Sequence, residues 1–447
     1  MMSVLRNESN ALYWVDATAC RTAALAVEKQ SLIILVPLKN IVLILKYAFM
    51  KAPKTMVTKK PAILNIVIYL LFFLSGNTQA INQKHSEVGF KKHVLNKEFI
   101  SEGVAVGDVN NDGTMDVLAG NYWFEAPGWK RHLLHIDTLN PIPGYCTTFL
   151  NFSMDVNLDG WVDLIRFDQP GADCVWYENP KNKNDLWNSH MILHTAGIEC
   201  PAFVDVDSDG RKDIICNDIK AKQVIWLKSP QSKYDTVWKR TIISSNSERA
   251  THQYTHGLGW GDINKDGRND ILIKSGWWES PADVTASDWK FNTADFGDDC
   301  SNMFVYDVDA DGDQDVMSSS AHEYGIWWYE QKKDAQDTIS WVKHEISNLF
   351  SQSHALALED INADGYPDLI SGKRYFAHNG KDPGALEPSV LYWYEYKPGK
   401  VPQWIPHLVD HNSGIGNCFI VQDMNKDRLL DIVISNKKGV FIFEQLK

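Results

Sequence analysis

Seven segments of this chain carry hard oxygen ligands at one fixed spacing, with Asp or Asn at the first, third and fifth places and Asp at the ninth. They are Asp108, Asn110, Asp112 and Asp116; Asp155, Asn157, Asp159 and Asp163; Asp205, Asp207, Asp209 and Asp213; Asp262, Asn264, Asp266 and Asp270; Asp307, Asp309, Asp311 and Asp315; Asp360, Asn362, Asp364 and Asp368; and Asp423, Asn425, Asp427 and Asp431. Oxygens so spaced surround one point, and the glycine at the sixth place of six copies allows the sharp turn that gathers them. A solvated acidic turn would not need that register, so the pattern predicts structural Ca2+, up to seven ions. In the seventh copy Arg428 replaces the glycine, which must strain the turn or change its shape; that site is expected to be the weakest or empty. The loops are not EF-hands, because the fourth has Ile273 where a bidentate Glu is required and its flank DILIKSGWW reads as strand.

Acid–base chemistry needs groups that do not recur. Six residues before each loop stand Glu102, Phe149, Glu199, His256, Ser301, His354 and Asn417, a polar and mixed series. Two longer turns add SSAHEYG, with His322 and Tyr324, and SGKRYFAHNGKDPG, with Lys373, Arg374, Tyr375 and His378. A third, RFDQPGAD, adds Arg166 and Asp168. Together His256, His354, His322, Glu199, Lys373, Arg374 and Tyr324 supply a base, an acid and cations for an anion or enolate, with Tyr324 and Trp277 as surfaces for stacking. Two or three of His256, His354, His322 and Glu199 could instead hold a catalytic divalent metal, although no spacing fixes their geometry.

The elements that must position these groups also repeat. An aromatic strand follows each loop, as YWFEAP from Tyr122, VWYENP from Val175, VIWLKSP from Val224, GWWESP from Gly276, IWWYEQ from Ile326, LYWYEY from Leu391 and VFIFEQ from Val440. A further strand then begins with Trp, often as WxxH, at Trp129, Trp187, Trp238, Trp289, Trp341 and Trp404. None follows the last copy, and the missing one is FKKHVL at Phe90, ahead of the first loop. Four strands repeated seven times at this spacing predict an all-β fold, a seven-bladed β-propeller closed by its N-terminal strand. Closure hides the edges an open sheet would expose. His93, His132, His190, His344 and His407 occupy one repeated position and are read as structural. If the loops join first and second strands, the turns bearing the non-repeating groups lie on the opposite face.

The 447 residues, 44% hydrophobic with 17 Trp, exclude a disordered tail, a collagen-like fibre and a cysteine-stapled miniprotein. Lys59 and Lys60 precede an apolar run over 62–74, with Thr78 and Ala80 at small-residue cleavage positions. Residues 56–80 therefore read as a signal peptide, 1–55 as an upstream extension from a start called too early, and 81–447 as the propeller. The alternative is a two-helix membrane anchor. The expected location is secreted or periplasmic. Net charge is −13, and the excess acid lies beyond the leader, which argues against nucleic acid and, after signal removal, against a membrane. Six cysteines follow the leader without a CxxC pair, so a zinc knuckle is excluded; export permits disulfides whose pairing cannot be read.

On these residues the chain resembles the FG-GAP/VCBS repeat family, whose calcium-loop propellers also form integrin α heads and some fungal lectins. The likeness covers residues 88–447. More narrowly, HGLGWGDINKDGRNDIL, SSAHEYGIWWYEQ and SGKRYFAHNGKDPG resemble the propeller domain of aldos-2-ulose dehydratase/isomerase and its bacterial relatives. That resemblance implies dehydration of a keto-sugar. The family's cupin domains have no counterpart before Lys447, so only the dehydratase half is expected to carry over. Two functions follow: a carbohydrate dehydratase or lyase eliminating α to a sugar carbonyl, or a noncatalytic lectin- or integrin-like module that binds glycan or protein.

Overall fold

The computed structural model describes residues 3–6, 12–15 and 88–447, apart from 137–143, 182, 184, 234, 298 and 337. The signal peptide and nearly all of the upstream extension lie outside the described residues. Strands β1 (Ser3–Arg6) and β2 (Leu12–Val15) pair antiparallel in a unit of their own. The second unit holds all that follows.

That unit is an all-β propeller. Strand β3 (Gly89–Asn96) comes first, then meanders of four. These are β4–β7 (Ala105–Gly107, Asp116–Ala119, Tyr122–Glu125, Lys130–Leu133) and β8–β11 (Thr148–Met154, Asp163–Asp168, Cys174–Glu178, Asn188–Leu193). Next are β12–β15 (Ala196–Val204, Asp213–Asp218, Gln223–Lys228, Lys239–Ser244) and β16–β19 (Gly259–Gly261, Asp270–Ile273, Gly276–Glu279, Lys290–Thr293). Then come β20–β23 (Met303–Tyr306, Asp315–Ser319, Tyr324–Lys333, Ile339–Ser351) and β24–β27 (Leu356–Glu359, Asp368–Gly372, Leu391–Lys397, Gln403–Asp410). The last three strands are β28 (Phe419–Gln422), β29 (Asp431–Asn436) and β30 (Gly439–Leu446). Outside β30 lies β3, antiparallel, with Phe90 opposite Gln445 and His93 opposite Ile442.

Five four-stranded sheets stand as separate blades, and the other eight strands form one continuous sheet. This departs from the seven separate blades expected. The join is a parallel pairing of innermost strands, Gly259 with Met303 and Trp260 with Phe304. Gly259 permits it, because a Cβ there would stand 2.8 Å from Met303 Cβ and 2.9 Å from Met303 O.

Each acidic loop joins the first and second strands of its meander and is ordered by backbone donors. Asp108 Oδ1 accepts from Asp112 N at 3.0 Å and its Oδ2 from Gly113 N at 2.8 Å. The ninth-place Asp is a buried clip: Asp116 Oδ2 accepts from Val109 N at 3.0 Å and Oδ1 from Ala126 N at 2.8 Å, tying loop to third strand. Burial, only partly countered by those donors, pushes the Asp116 carboxyl up to about 6 and that of Asp163 to about 7. Arg428 does not change the seventh turn: it adopts φ 72°, and its N–H meets Asp423 Oδ2 at 2.8 Å, as the glycines do.

The repeated Trp residues fill the space between blades, with Trp176, Trp226 and Trp278 fully buried in one cluster. The repeated histidines are structural in detail. His132, His190, His344 and His407 each stack on a third-strand Trp at 4.2–4.3 Å. Their Nε2 atoms lie 2.6, 3.0, 2.9 and 3.2 Å from Glu125, Glu178, Glu330 and Glu395. Cys174, Cys200, Cys216, Cys300 and Cys418 are free thiols, and the Cys146 thiol donates to Ile100 O at 3.2 Å. Among the described residues no helix is long and apolar enough to cross a membrane.

Candidate functional site

The non-repeating polar residues gather where the innermost strands begin. Glu199 lies in β12, while Glu102, His256, His354 and Asn417 stand just ahead of β4, β16, β24 and β28. Three of them form a triangle: His256 Nε2 and His354 Nε2 are 3.3 Å apart, and Glu199 Oε2 lies 3.6 Å from the first and 3.2 Å from the second. All three are buried.

Arg374, 1% exposed and just beyond β25, crosses the hub. It reaches Glu199 Oε2 through Nη1 at 3.6 Å and Glu102 Oε2 through Nε at 3.5 Å. Lys437, from the β29–β30 turn, stands 3.5 Å from Glu102 Oε1, and the ring of Tyr145 lies 4.6 Å beneath its ammonium. The two carboxylates and two cations thus balance, as burial demands.

Beside the triangle, the His322 ring meets that of His256 edge-on at 4.6 Å and stacks on His378 at 4.3 Å. Asp382 holds both from the other side, with His322 Nδ1 at 3.4 Å and His378 Nδ1 at 2.9 Å, and also accepts from Gln352 Nε2 at 2.9 Å. A carboxylate on Nδ1 selects the tautomer that leaves Nε2 unprotonated. His322 and His378 are partly exposed, so this trio connects the hub to solvent.

Burial holds His256 below the usual imidazole range, against the pull of Glu199, and holds His354 well below it, with Arg374 adding to the effect. Burial and the neighbouring His256 and His378 bring His322 down to about 4. These imidazoles are therefore neutral at pH 7. Burial opposes ionisation of Glu199, but the His354 hydrogen bond and Arg374 keep it well below the usual carboxylate range.

The triangle has the dimensions of a metal-coordination face. Three ligands at about 2.0–2.2 Å from one tetrahedral ion lie roughly 3.3–3.6 Å from one another, and the observed edges are 3.2–3.6 Å. Two neutral imidazoles and a carboxylate also form a donor set that Zn2+ and similar ions accept.

The structure thus brings together His256, His354, Glu199 and Arg374, with His322 alongside. Lys373 and Tyr324 lie apart from this group. Lys373 Nζ donates to Ser351 Oγ at 2.7 Å, and Tyr324 donates to Glu387 Oε1 at 2.7 Å. Trp277 is core, 5% exposed and packed near Trp341 and Met303, so it offers no stacking surface. Arg166 pairs with Asp168 at 2.9 Å. Sequence reasoning did not single out Asp382, Lys437 or Tyr145. Asp382 sits in a turn whose length already set it apart, whereas Lys437 lies in an ordinary hairpin turn with no signal of its own.

Below the cluster the innermost strands line an axial channel of about 530 Å3, walled by Val106, Ser153, Val204, Trp260, Phe304 and Leu356 among others.

The family model for FG-GAP-like repeats matches residues 155–216 and 307–371. No curated protein matches the chain. A solved lectin of Agrocybe aegerita, described as recognising non-reducing terminal N-acetylglucosamine, is similar at 15% identity, over 72% of this chain and 81% of that one, with a TM-score of 0.44. The WD40 domain of SCAP from fission yeast is similar at 12% identity, over 79% of this chain and 98% of that one, with a TM-score of 0.39. The chain therefore carries FG-GAP-like repeats on a β-propeller.

Proposed function

We propose that this protein is an exported, calcium-stabilised propeller that acts on carbohydrate as a dehydratase or lyase, eliminating α to a sugar carbonyl. The observation that carries the reading is the Glu199–His256–His354 triangle, buried beside Arg374 and linked to solvent through His322 and Asp382. Each half of the eight-stranded sheet is itself an antiparallel meander, which supports counting it as two blades and seven in all, the last completed by β3. Backbone donors that pre-order Asp108 and its counterparts support calcium in the loops.

Glu199, His256 and His354 would hold a divalent metal, which when bound polarises a carbonyl oxygen as a Lewis acid. Their inward-facing Nε2 atoms favour that task over proton abstraction. The base is then His322: its Nε2 takes the proton α to the carbonyl, the C–H pair becomes the new C=C bond, and the β-hydroxyl departs with its bonding pair, takes that proton from the His322 imidazolium and leaves as water. Asp382 holds His322 in the required tautomer, and the cation beside the triangle that would stabilise enolate charge is Arg374, 3.6 Å from Glu199, since Lys373 turns to Ser351. The acidic surface supports the absence of nucleic acid among its partners.

Incubation of the purified protein with keto-sugars and polysaccharides should give an unsaturated product visible by ultraviolet absorbance. Its formation should cease in the His256→Ala, His354→Ala double variant. No absorbance change with any substrate, or an undiminished rate in that variant, defeats the reading. Glycan binding without turnover would point instead to a noncatalytic module.

A further inference from the structure

Six third strands carry a Glu at or near the end: Glu125, Glu178, Glu279, Glu330, Glu395 and Glu444. Three of these accept from the loop's third-place Asn, as Asn110, Asn157 and Asn362 Nδ2 lie 3.5, 3.2 and 3.4 Å from Glu125, Glu178 and Glu395. The third loop reverses this arrangement at three positions together. Asp207 replaces the Asn, Lys228 replaces the Glu, and Thr241, opposite Trp226, stands where His132 and His190 stand opposite Trp123 and Trp176. Lys228 Nζ bonds Asp207 Oδ2 and lies 2.8 Å from Asp209 Oδ2, so one ammonium bridges the third- and fifth-place carboxylates. The fifth loop also has Asp at its third place, Asp309, yet keeps Glu330 and His344. Its Lys332 approaches no nearer than 3.6 Å to Asp311 and 4.0 Å to Asp309.

We infer that Lys228 is the resident cation of the third loop, which therefore folds without Ca2+ and takes up the ion far more weakly than its counterparts. Two carboxylates held at hydrogen-bond distance from a fixed ammonium are already neutralised in part. A divalent ion entering beside that ammonium would meet repulsion only a few ångströms away.

The inference rests on calcium in the other loops only for its metal count. Titration calorimetry of chelator-stripped protein with calcium chloride should show Lys228→Glu binding one more ion per chain than the wild type; equal counts above zero overturn it. Lys228→Met, melted in EDTA, should unfold about 2 °C below the wild type and recover in calcium. An unchanged EDTA melt also overturns it. Because that melt needs no calcium site anywhere, counts of zero in both proteins would defeat the calcium reading alone and leave the melt to decide.

Discussion

The acidic loops and the hub cluster both concentrate charge, but they satisfy it by opposite means. In the loops, the first- and ninth-place carboxylates are met by backbone N–H groups of the same meander, as Asp108 is by Asp112 and Gly113 and Asp116 by Val109 and Ala126. At the hub, Glu199 is met by side chains more than fifty residues away, His256, His354 and Arg374. Local satisfaction can be copied from blade to blade. Satisfaction across the axis cannot, and among the described residues the Glu199 cluster is not repeated from blade to blade. The first arrangement suits stability and the second suits chemistry.

The largest effect that could break this contrast comes from Glu199→Gln, which keeps the shape and removes the charge. Turnover of the keto-sugar substrate should fall by about 10³-fold, while the melting temperature moves by only a few degrees. A collapsed melt with normal turnover in the protein that remains folded would reverse the assignment.

A second, intermediate effect sharpens the other side. The buried ninth-place acids are pushed from 3.8 up to about 6 or 7 in the metal-free fold, by burial first. Such an acid holds its proton better when folded, so its contribution is full below pH 4 and is lost as pH rises through 6 to 7. In EDTA the protein should therefore melt lower at pH 8 than at pH 5. Each calcium site filled at a hundredfold excess over Kd should stabilise the fold by roughly 2.7 kcal/mol, and the calcium-induced rise in Tm should be larger at pH 8 than at pH 5. Equal calcium gains at both pH values would show that these carboxylates take no part.

The smallest effect concerns Arg428, a bulky residue at φ 72°. Arg428→Gly should relieve about 1 kcal/mol of left-handed strain, read as a modest rise in the denaturation midpoint. A loss of stability would mean that the Arg428 side chain makes a contact worth more than the strain.

Much of this architecture was legible in the sequence because its cause is local and periodic. The loops, the aromatic strands and the displaced strand at Phe90 are each set by neighbours within a few residues, and repetition multiplied the signal. His256, His354 and Glu199 could be placed together because each holds the same offset from its loop. What could not be read depends on reach. Arg374 and Lys373 are adjacent in sequence, yet one crosses the hub and the other turns to Ser351, and only packing decides which. The fusion of two meanders at Gly259 likewise depends on how closely two backbones approach, which no pattern of residue types records. The Asp207 and Lys228 changes were both visible as departures from the repeat, but their meaning required seeing that the two side chains touch.

The pairing of β3 with β30 has a consequence for how the molecule is made. Residues 89–96 leave the ribosome near the start of the second unit, about 340 residues ahead of their partner, residues 439–446. Until β30 emerges the early strand has no mate, and the sheet of β28–β30 lacks its outer strand. A nascent chain of this kind must delay its most distant contact to the end, presenting open strand edges that a holding chaperone could shield.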